Sequence, residues 1–247
     1  MNTTGNTLFI PGGTSGIGLA LARRFRSRGN TVVVGGRRDD VLAELAAEGF
    51  GTVRVDVADP ASIREATADV VARYPELNIL VAMAGMMRAE DWTTPGFLDD
   101  AEAHVTTNLL GPIRLIAALN EHLWSRDDAV VMTVSSGLAH VPLGITPTYN
   151  ATKAAIHQLS ESLRVQYAGS GPQVIELVPP AVRTALMPGH EKAPHAMPLD
   201  DYADEVLGLL EREPDAREIL VEYVKPLRYA AVNGSYDETV AMVNAAH

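Results

Sequence analysis

The chain has 247 residues, 47% of them hydrophobic, with 31 acidic against 20 basic side chains and a formal charge of −11. That length fits one domain whose core needs no covalent staple, and the acidic balance disfavours a phosphate backbone as partner, so nucleic acid is not expected. The lack of cysteine excludes disulfides, thiolate catalysis and cysteine-bound metal.

No segment approaches the roughly 18 consecutive apolar residues of a membrane span. Met1 to Thr7 carries no basic residue ahead of a signal-length apolar core. A cytoplasmic protein without a membrane partner is therefore expected. The first strand, 7–11, runs into Gly12-Gly13-Thr14-Ser15-Gly16-Ile17-Gly18, where a helix over 16–28 begins. Gly12 permits a tight turn, while Gly16 and Gly18 let backbone approach a diphosphate and let the helix pack closely on the sheet. With Thr14, Ser15 and Ile17 they make a candidate phosphate cradle, because free N–H groups at the positive end of a helix attract anions. A glycine cluster is also an ordinary strand-to-helix turn; its place after a strand is the context that dinucleotide binding requires.

The second strand, 31–35, ends at Gly36-Arg37-Arg38. A dinucleotide fold that takes NAD places an acidic residue near this point, on the adenosine ribose 2′-OH. Here two guanidinium groups stand instead, and their planar, charge-assisted donors suit a 2′-phosphate, so NADP is expected over NAD. The alternative is a pair of arginines on a surface turn. A helix over 39–47, a strand over 51–56, a helix over 61–73, a strand over 79–82 and a long helix over 99–124 follow.

A strand over 129–135 leads to Ser136, and a helix over 148–168 carries Tyr149 and Lys153. Positions i and i+4 share one helix face, with about 5–6 Å between β-carbons. An ammonium beside a phenol favours the phenolate and lowers a pKa of about 10, which would let the tyrosine transfer protons near neutral pH. Ser136 would then hold a carbonyl oxygen. Alone, Tyr-x-x-x-Lys is also common on a solvated helix face. A strand over 173–178, an irregular proline-containing stretch over 185–199, a helix from about Asp200, a last strand at 219–221 and a helical pattern from Tyr236 complete the chain. Nearly all-apolar strands such as Val32-Val33-Val34, alternating with helices, predict an α/β fold: one Rossmann-type, doubly wound parallel sheet over 1–247 with helices on both faces. The carboxyl ends of its strands converge on one crevice.

Gly12-x-x-x-Gly16-x-Gly18, Asp56-Val57, Ala84-Gly85, Asn108, Ser136 and Tyr149-x-x-x-Lys153 together resemble, in order and spacing, the short-chain dehydrogenase/reductase family in its short, single-domain branch. The resemblance implies hydride transfer between NADP(H) and a secondary alcohol/ketone pair, from the pro-S face of the nicotinamide. It makes Ser136, Tyr149, Lys153 and Asn108 the catalytic set, with Asn108 holding a water in a relay to Lys153, and Lys153 also binding the nicotinamide ribose. Asp56 is implied to meet the adenine amino group beside the Val57 backbone, although an aspartate after a strand is also a frequent helix cap. Ala84 and Gly85 are implied to approach the ribose through backbone, and Ala82-Met83 replaces the family's two asparagines, with loss of their side-chain support to the sheet.

Pro179-Pro180-Ala181-Val182-Arg183-Thr184 resembles the family's Pro-Gly-x-Val-x-Thr, which places Val182 on the carboxamide and Thr184 on the diphosphate. Pro180 replaces the glycine, fixing φ and removing an N–H, and Pro11 stands where the family usually has threonine. Residues 185–199 resemble a lid over the substrate, although Leu186, Met187 and Met197 read equally as packing residues. Met86, Met87, Trp92, Leu138, Pro142, Leu143 and Met187 point to an apolar pocket for a small hydrophobic carbonyl or alcohol substrate, and read equally as core or interface. The family also implies a homodimer or homotetramer through the helices near 99–124 and 148–168. His190 and His195 lack the helical His-Glu-x-x-His spacing and a third ligand, so no metal is expected. Ser135-Ser136 lacks the Gly-x-Ser-x-Gly elbow of a hydrolase. A non-catalytic NADP-sensing regulator is the rival reading, and the intact Ser136, Tyr149 and Lys153 argue against it.

Overall fold

The computed structural model describes residues 1–245. Seven strands, β1 (Thr7–Pro11), β2 (Thr31–Gly36), β3 (Gly51–Arg54), β4 (Ile79–Val81), β5 (Val130–Val134), β6 (Gln173–Leu177) and β7 (Glu218–Ile219), pair in parallel in the order β3-β2-β1-β4-β5-β6-β7. The order reverses between β1 and β4, which opens a crevice at the carboxyl ends of those two strands. Side chains alternate across the pleat. Leu8 and Ile10 of β1 therefore enter one core layer, with Leu21 and Phe25 of α1 (Gly16–Ser27) and Val206 and Leu210 of α7 (Leu199–Arg212). Phe9 enters the opposite layer, with Ile63 and Val70 of α3 (Pro60–Arg73) and Leu115 and Leu119 of α5 (Gly111–Trp124). Burial from both sides is why these strands carry no polar alternation.

Local chemistry fixes the helix starts. Asp59 caps α3 by accepting the Ala61 N–H at 2.8 Å, with Pro60 preset for the first turn. Pro147 does the same for α6 (Pro147–Tyr167). The helical stretch expected over 99–124 is one path in three pieces: α4 (Leu98–His104), a π-helical segment Val105–Leu110, and α5. Pro112 has no N–H for the carbonyl of Asn108 four residues back, and its ring crowds that carbonyl. The ladder widens instead, and the Gly111 N–H bonds Thr106 O. α2 (Asp39–Ala47) covers β2 and β3.

The end of the region 185–199 is tied to the chain around Ala181. Met197 N–H donates to Ala181 O at 2.8 Å and Arg183 N–H to Met197 O at 2.9 Å, and Ala196 and Met197 are buried. Met197 is thus a packing residue, whereas Leu186 stays exposed. The last strand stops at Ile219, and the chain continues through a 3₁₀ turn into α8 (Lys225–Arg228) and α9 (Tyr236–Asn244). Among the described residues no helix is long and apolar enough to cross a membrane.

Phe25 is fully buried in the α1–α7 layer, and Val232 is 80% exposed. Phe25→Ala is expected to lower the unfolding free energy by ~3–5 kcal/mol, read by urea titration. Val232→Ala should change it by less than ~0.5 kcal/mol.

Candidate active site

At the reversal point the glycines are required by close approach. Gly12 has φ +87°, and a Cβ there would lie 2.7 Å from the Ala84 backbone, across the crevice from β1 to β4. A Cβ on Gly18 would lie 2.3 Å from Gly12 O, so α1 packs against the turn only with hydrogen at that position. Gly16, at φ +51°, brings the turn beside Thr184. Ser15 stands at the N-cap of α1 and its side chain makes no capping bond. The first-turn N–H groups are thus left to an external acceptor, at the positive end of the helix. Glycines that exclude side chains and donors without an internal partner fit the diphosphate of a dinucleotide.

The crevice widens into a cleft of about 1200 Å³, larger than the usual small-ligand pocket of roughly 300–1,000 Å³. It is lined by Gly12, Thr14, Ser15, Gly16, Ile17, Gly18, Arg37, Arg38, Asp56, Val57, Ala84, Gly85, Ser136, Tyr149, Lys153, Val182 and Thr184. Every sequence-derived site residue except Asn108 therefore reaches one surface, from six different strand ends and loops. Arg38 Nη2 donates to Thr14 O at 3.3 Å, and Arg37 Nη1 lies 3.9 Å from Asp56 Oδ2. Both guanidinium groups therefore stand at the mouth of the β2 side, where no carboxylate follows Gly36. Asp56 accepts the Ala58 N–H at 3.0 Å in the turn before α3, whose helix cap is Asp59, and it lines the cleft. Met83 fills the place of the family's second asparagine with an apolar side chain against Gly18.

Ser136, two residues beyond β5, is extended and its Oγ accepts the Leu138 N–H at 3.1 Å. Its hydroxyl lies beside the phenol of Tyr149, one of the buried residues on α6. Lys153 Nζ donates to Val134 O at 2.8 Å and sits over the Tyr149 ring, 5.6 Å from its centre. Burial pushes the phenol up to about 12, opposed only by the Ser136 hydroxyl, and burial pulls the ammonium down to about 8. In the chain by itself the tyrosine is a firmly held acid and the lysine a weakened cation.

Asn108 is buried under this floor. Its Oδ1 accepts the Met86 N–H and its Nδ2 donates to Met86 O, both at 2.8 Å. The side-chain amide is thus engaged as a clamp on the segment after Gly85. Two residues that the sequence reading passed over complete the framework: His157 Nδ1 lies 3.0 Å from both oxygens of Glu176, whose Oε1 also accepts the Ser135 hydroxyl. The Glu176 bond holds His157 above the usual histidine range. Tyr149, Lys153 and His157 at i, i+4 and i+8 were the available signal. Pro226, Leu227, Met242 and Val243 also line the cleft, and no sequence motif marked them.

The substrate end is apolar. Met87, Leu143 and Tyr149 cluster with Leu138, Ile145, Met187 and Val243. Trp92 departs from expectation: it is 55% exposed and stacks on Phe97 at 4.2 Å, outside the cleft lining. Pro142 is also outside that lining. The rings of His190 and His195 stand 6.5 Å apart and face the cleft. A separate group, His140, His157 and Glu218, converges within 4.8 Å, but Arg228 holds Glu218 through two bonds and Glu176 holds His157.

With this geometry in hand, a family model described as short chain dehydrogenase matches residues 6–194. The uncharacterized oxidoreductase DltE of Bacillus subtilis (strain 168) is 41% identical over 192 residues, 75% of each chain. The NADP-dependent 3-hydroxy acid dehydrogenase YdfG of Salmonella typhi is 29% identical over 175 residues, 70% of this chain and 71% of that protein. A solved short-chain dehydrogenase from Streptomyces avermitilis is similar with a TM-score of 0.82 at 25% identity over 94% of both chains. The family model spans most of the chain, and the chain belongs to the short-chain dehydrogenase family of oxidoreductases.

Proposed function

We propose that the protein is an NADP(H)-dependent reductase of small hydrophobic carbonyl compounds, interconverting a ketone and a secondary alcohol. The observation that carries this reading is the gathering of Ser136, a buried Tyr149 and Lys153 at the apolar end of a dinucleotide-sized cleft. When bound, the nicotinamide supplies the hydride for reduction. Ser136 holds the carbonyl oxygen of the substrate, and Tyr149 delivers its phenolic proton to that oxygen as the carbonyl carbon is reduced. A phenol raised by burial keeps its proton until a developing alkoxide draws it off, which supports reduction as the working direction. Lys153 holds the ribose hydroxyls and stands where an added negative charge on the phenol is stabilised. Asn108 fixes the segment that carries Gly85 beside Lys153.

Arg37 and Arg38, with no carboxylate at the end of β2, support NADP over NAD, as does the NADP dependence named for the relative at 29% identity. Met87, Leu138 and Leu143 support an apolar substrate. Asp56 and Val57 at the adenine, Ala84 and Gly85 at the ribose, Val182 at the carboxamide and Thr184 at the diphosphate complete the assignment. A cytoplasmic homodimer or homotetramer is part of the same reading.

Tyr149→Phe is expected to remove nearly all NADPH-dependent ketone reduction while NADPH binding, read by fluorescence titration, stays within about twofold. Substantial retained reduction would defeat the proposal. Replacing both Arg37 and Arg38 by alanine should weaken NADPH binding by roughly 10- to 100-fold, as expected for lost charge-assisted bonds, and leave NADH binding nearly unchanged. A wild-type preference for NADH would contradict the cofactor assignment.

Lys153 gives a pH-dependent check. Its folded pKa of about 8 lies below the ordinary 10.5. The unfolded chain therefore binds the extra proton between those values, and stability rises with pH from about 8 to 10.5. Below pH 8 the cost of the buried charge is complete. Lys153→Met is expected to stabilise the cofactor-free protein at pH 7 by up to about 3 kcal/mol, to lose that gain towards pH 10.5, and to abolish turnover. Chemical denaturation at pH 7 and pH 10 reads the difference.

A further inference from the structure

A buried pair beside Tyr149 has no part in the chemistry just described. The side chains of Glu90 and His104 are fully buried, with His104 Nδ1 2.8 Å from Glu90 Oε1. His104 Nε2 accepts the Arg88 N–H at 3.0 Å, so the proton of the neutral ring sits on Nδ1, which lies in close contact with the carboxylate but outside hydrogen-bond alignment with it. The His104 ring stands edge-on to Tyr149, with centres 6.3 Å apart and planes at 76°.

The other carboxylate oxygen faces α6. Glu90 Oε2 accepts the Thr148 N–H at 3.0 Å and the Trp92 indole N–H at 2.9 Å. The Glu90 N–H in turn donates to Ile145 O at 2.9 Å. Thr148 lies in the first turn of α6, where N–H groups have no intrahelical acceptor and a negative charge is the favourable sign. Tyr149 is the next residue. One turn of helix separates His104 from Asn108, and two residues of extended chain separate Arg88 from Met86. The two side chains therefore grip alternate backbone groups of one segment, and Glu90 ties its end to the helix that carries the phenol.

From this geometry we infer that Glu90 is a positioning residue for Tyr149, oriented by His104, and that the pair fastens the substrate-side segment 86–90 to the first turn of α6 as one unit. Its kinetic consequence rests on the reductase reading above; the fastening is a property of the chain alone. Cofactor binding is independent of it, because the glycine turn and Arg37 and Arg38 lie on the other half of the cleft.

The test reads three quantities for Glu90→Ala and Glu90→Gln in the full-length protein: steady-state ketone reduction, NADPH affinity, and hydrogen exchange of peptides covering 85–92 and 145–152. Glu90→Ala is expected to lower kcat by roughly 10- to 100-fold, the scale of a small misplacement of a reacting group, with NADPH affinity within about twofold and faster exchange in both segments. Glu90→Gln, whose amide oxygen still accepts the Thr148 N–H, should recover most of kcat. Unchanged exchange in both segments, an alanine variant with wild-type kcat, or a glutamine variant no better than alanine would each overturn the inference. If the alanine variant does not fold, His104→Gln is read in its place: slower turnover with faster exchange supports the fastening, and unchanged exchange overturns it. A wild-type protein that reduces no carbonyl compound defeats the reductase reading, and the exchange data still decide this one.

Discussion

The seating of one polar helix face on the central sheet is the constraint from which the site follows. Tyr149, Lys153, His157 and Ser160 lie along one side of α6, and each finds a partner on β5, beyond its end, or on β6: the Ser136 hydroxyl, the Val134 carbonyl, the Glu176 carboxylate and the Thr133 hydroxyl. Buried polar groups cost free energy unless they are bonded, so this seam tolerates only the register that pairs all of them. A shift of one residue along the helix would leave an ammonium and a carboxylate without partners. The same pairing that fixes α6 places a phenol, a hydroxyl and an ammonium at the carboxyl ends of the strands.

Burial then sets the chemistry. A phenol pushed up to about 12 and an ammonium drawn down to about 8 are both biased towards neutral forms, and both line the cleft. The sheet supplies the rest at its reversal between β1 and β4. There the backbone of Gly12 and Ala84 meets so closely that no side chain fits, and the unpaired first turn of α1 faces outwards. Stability is given up at Lys153 in exchange for position, which is a common feature of reactive sites.

Local signals made much of this legible in the chain. The glycine turn is a matter of sterics over seven residues, the arginine pair a matter of charge at a strand end, and Tyr149 and Lys153 a matter of helical spacing. Strands with apolar runs declared burial from both sides. Less was legible where the cause is distant. Pro112 inside a helix was visible, but the widening it causes at Asn108 depended on where that helix packs. Trp92 looked like a pocket residue by composition and proved to stack on Phe97 outside the cleft, because the turn at 92–93 and the 3₁₀ turn Pro95–Phe97 bring the two rings together. Met197 lies in a stretch with the composition of a lid, yet two backbone bonds staple it to the chain after Ala181.

By itself, then, the sequence determined the alternation of strands and helices, the glycine turn, the arginine pair at the end of β2, and the identity of the hydroxyl, phenol and ammonium, since each depends on residues close in the chain. Tertiary structure alone decided that Lys153 bonds the Val134 carbonyl, that Asn108 clamps Met86, that Glu90 and His104 meet beside Tyr149, and that α9 lines the apolar end of the cleft. Those contacts join residues separated by many positions, and their energies depend on burial and on which groups the packing leaves without a partner, neither of which is a property of any short stretch of sequence.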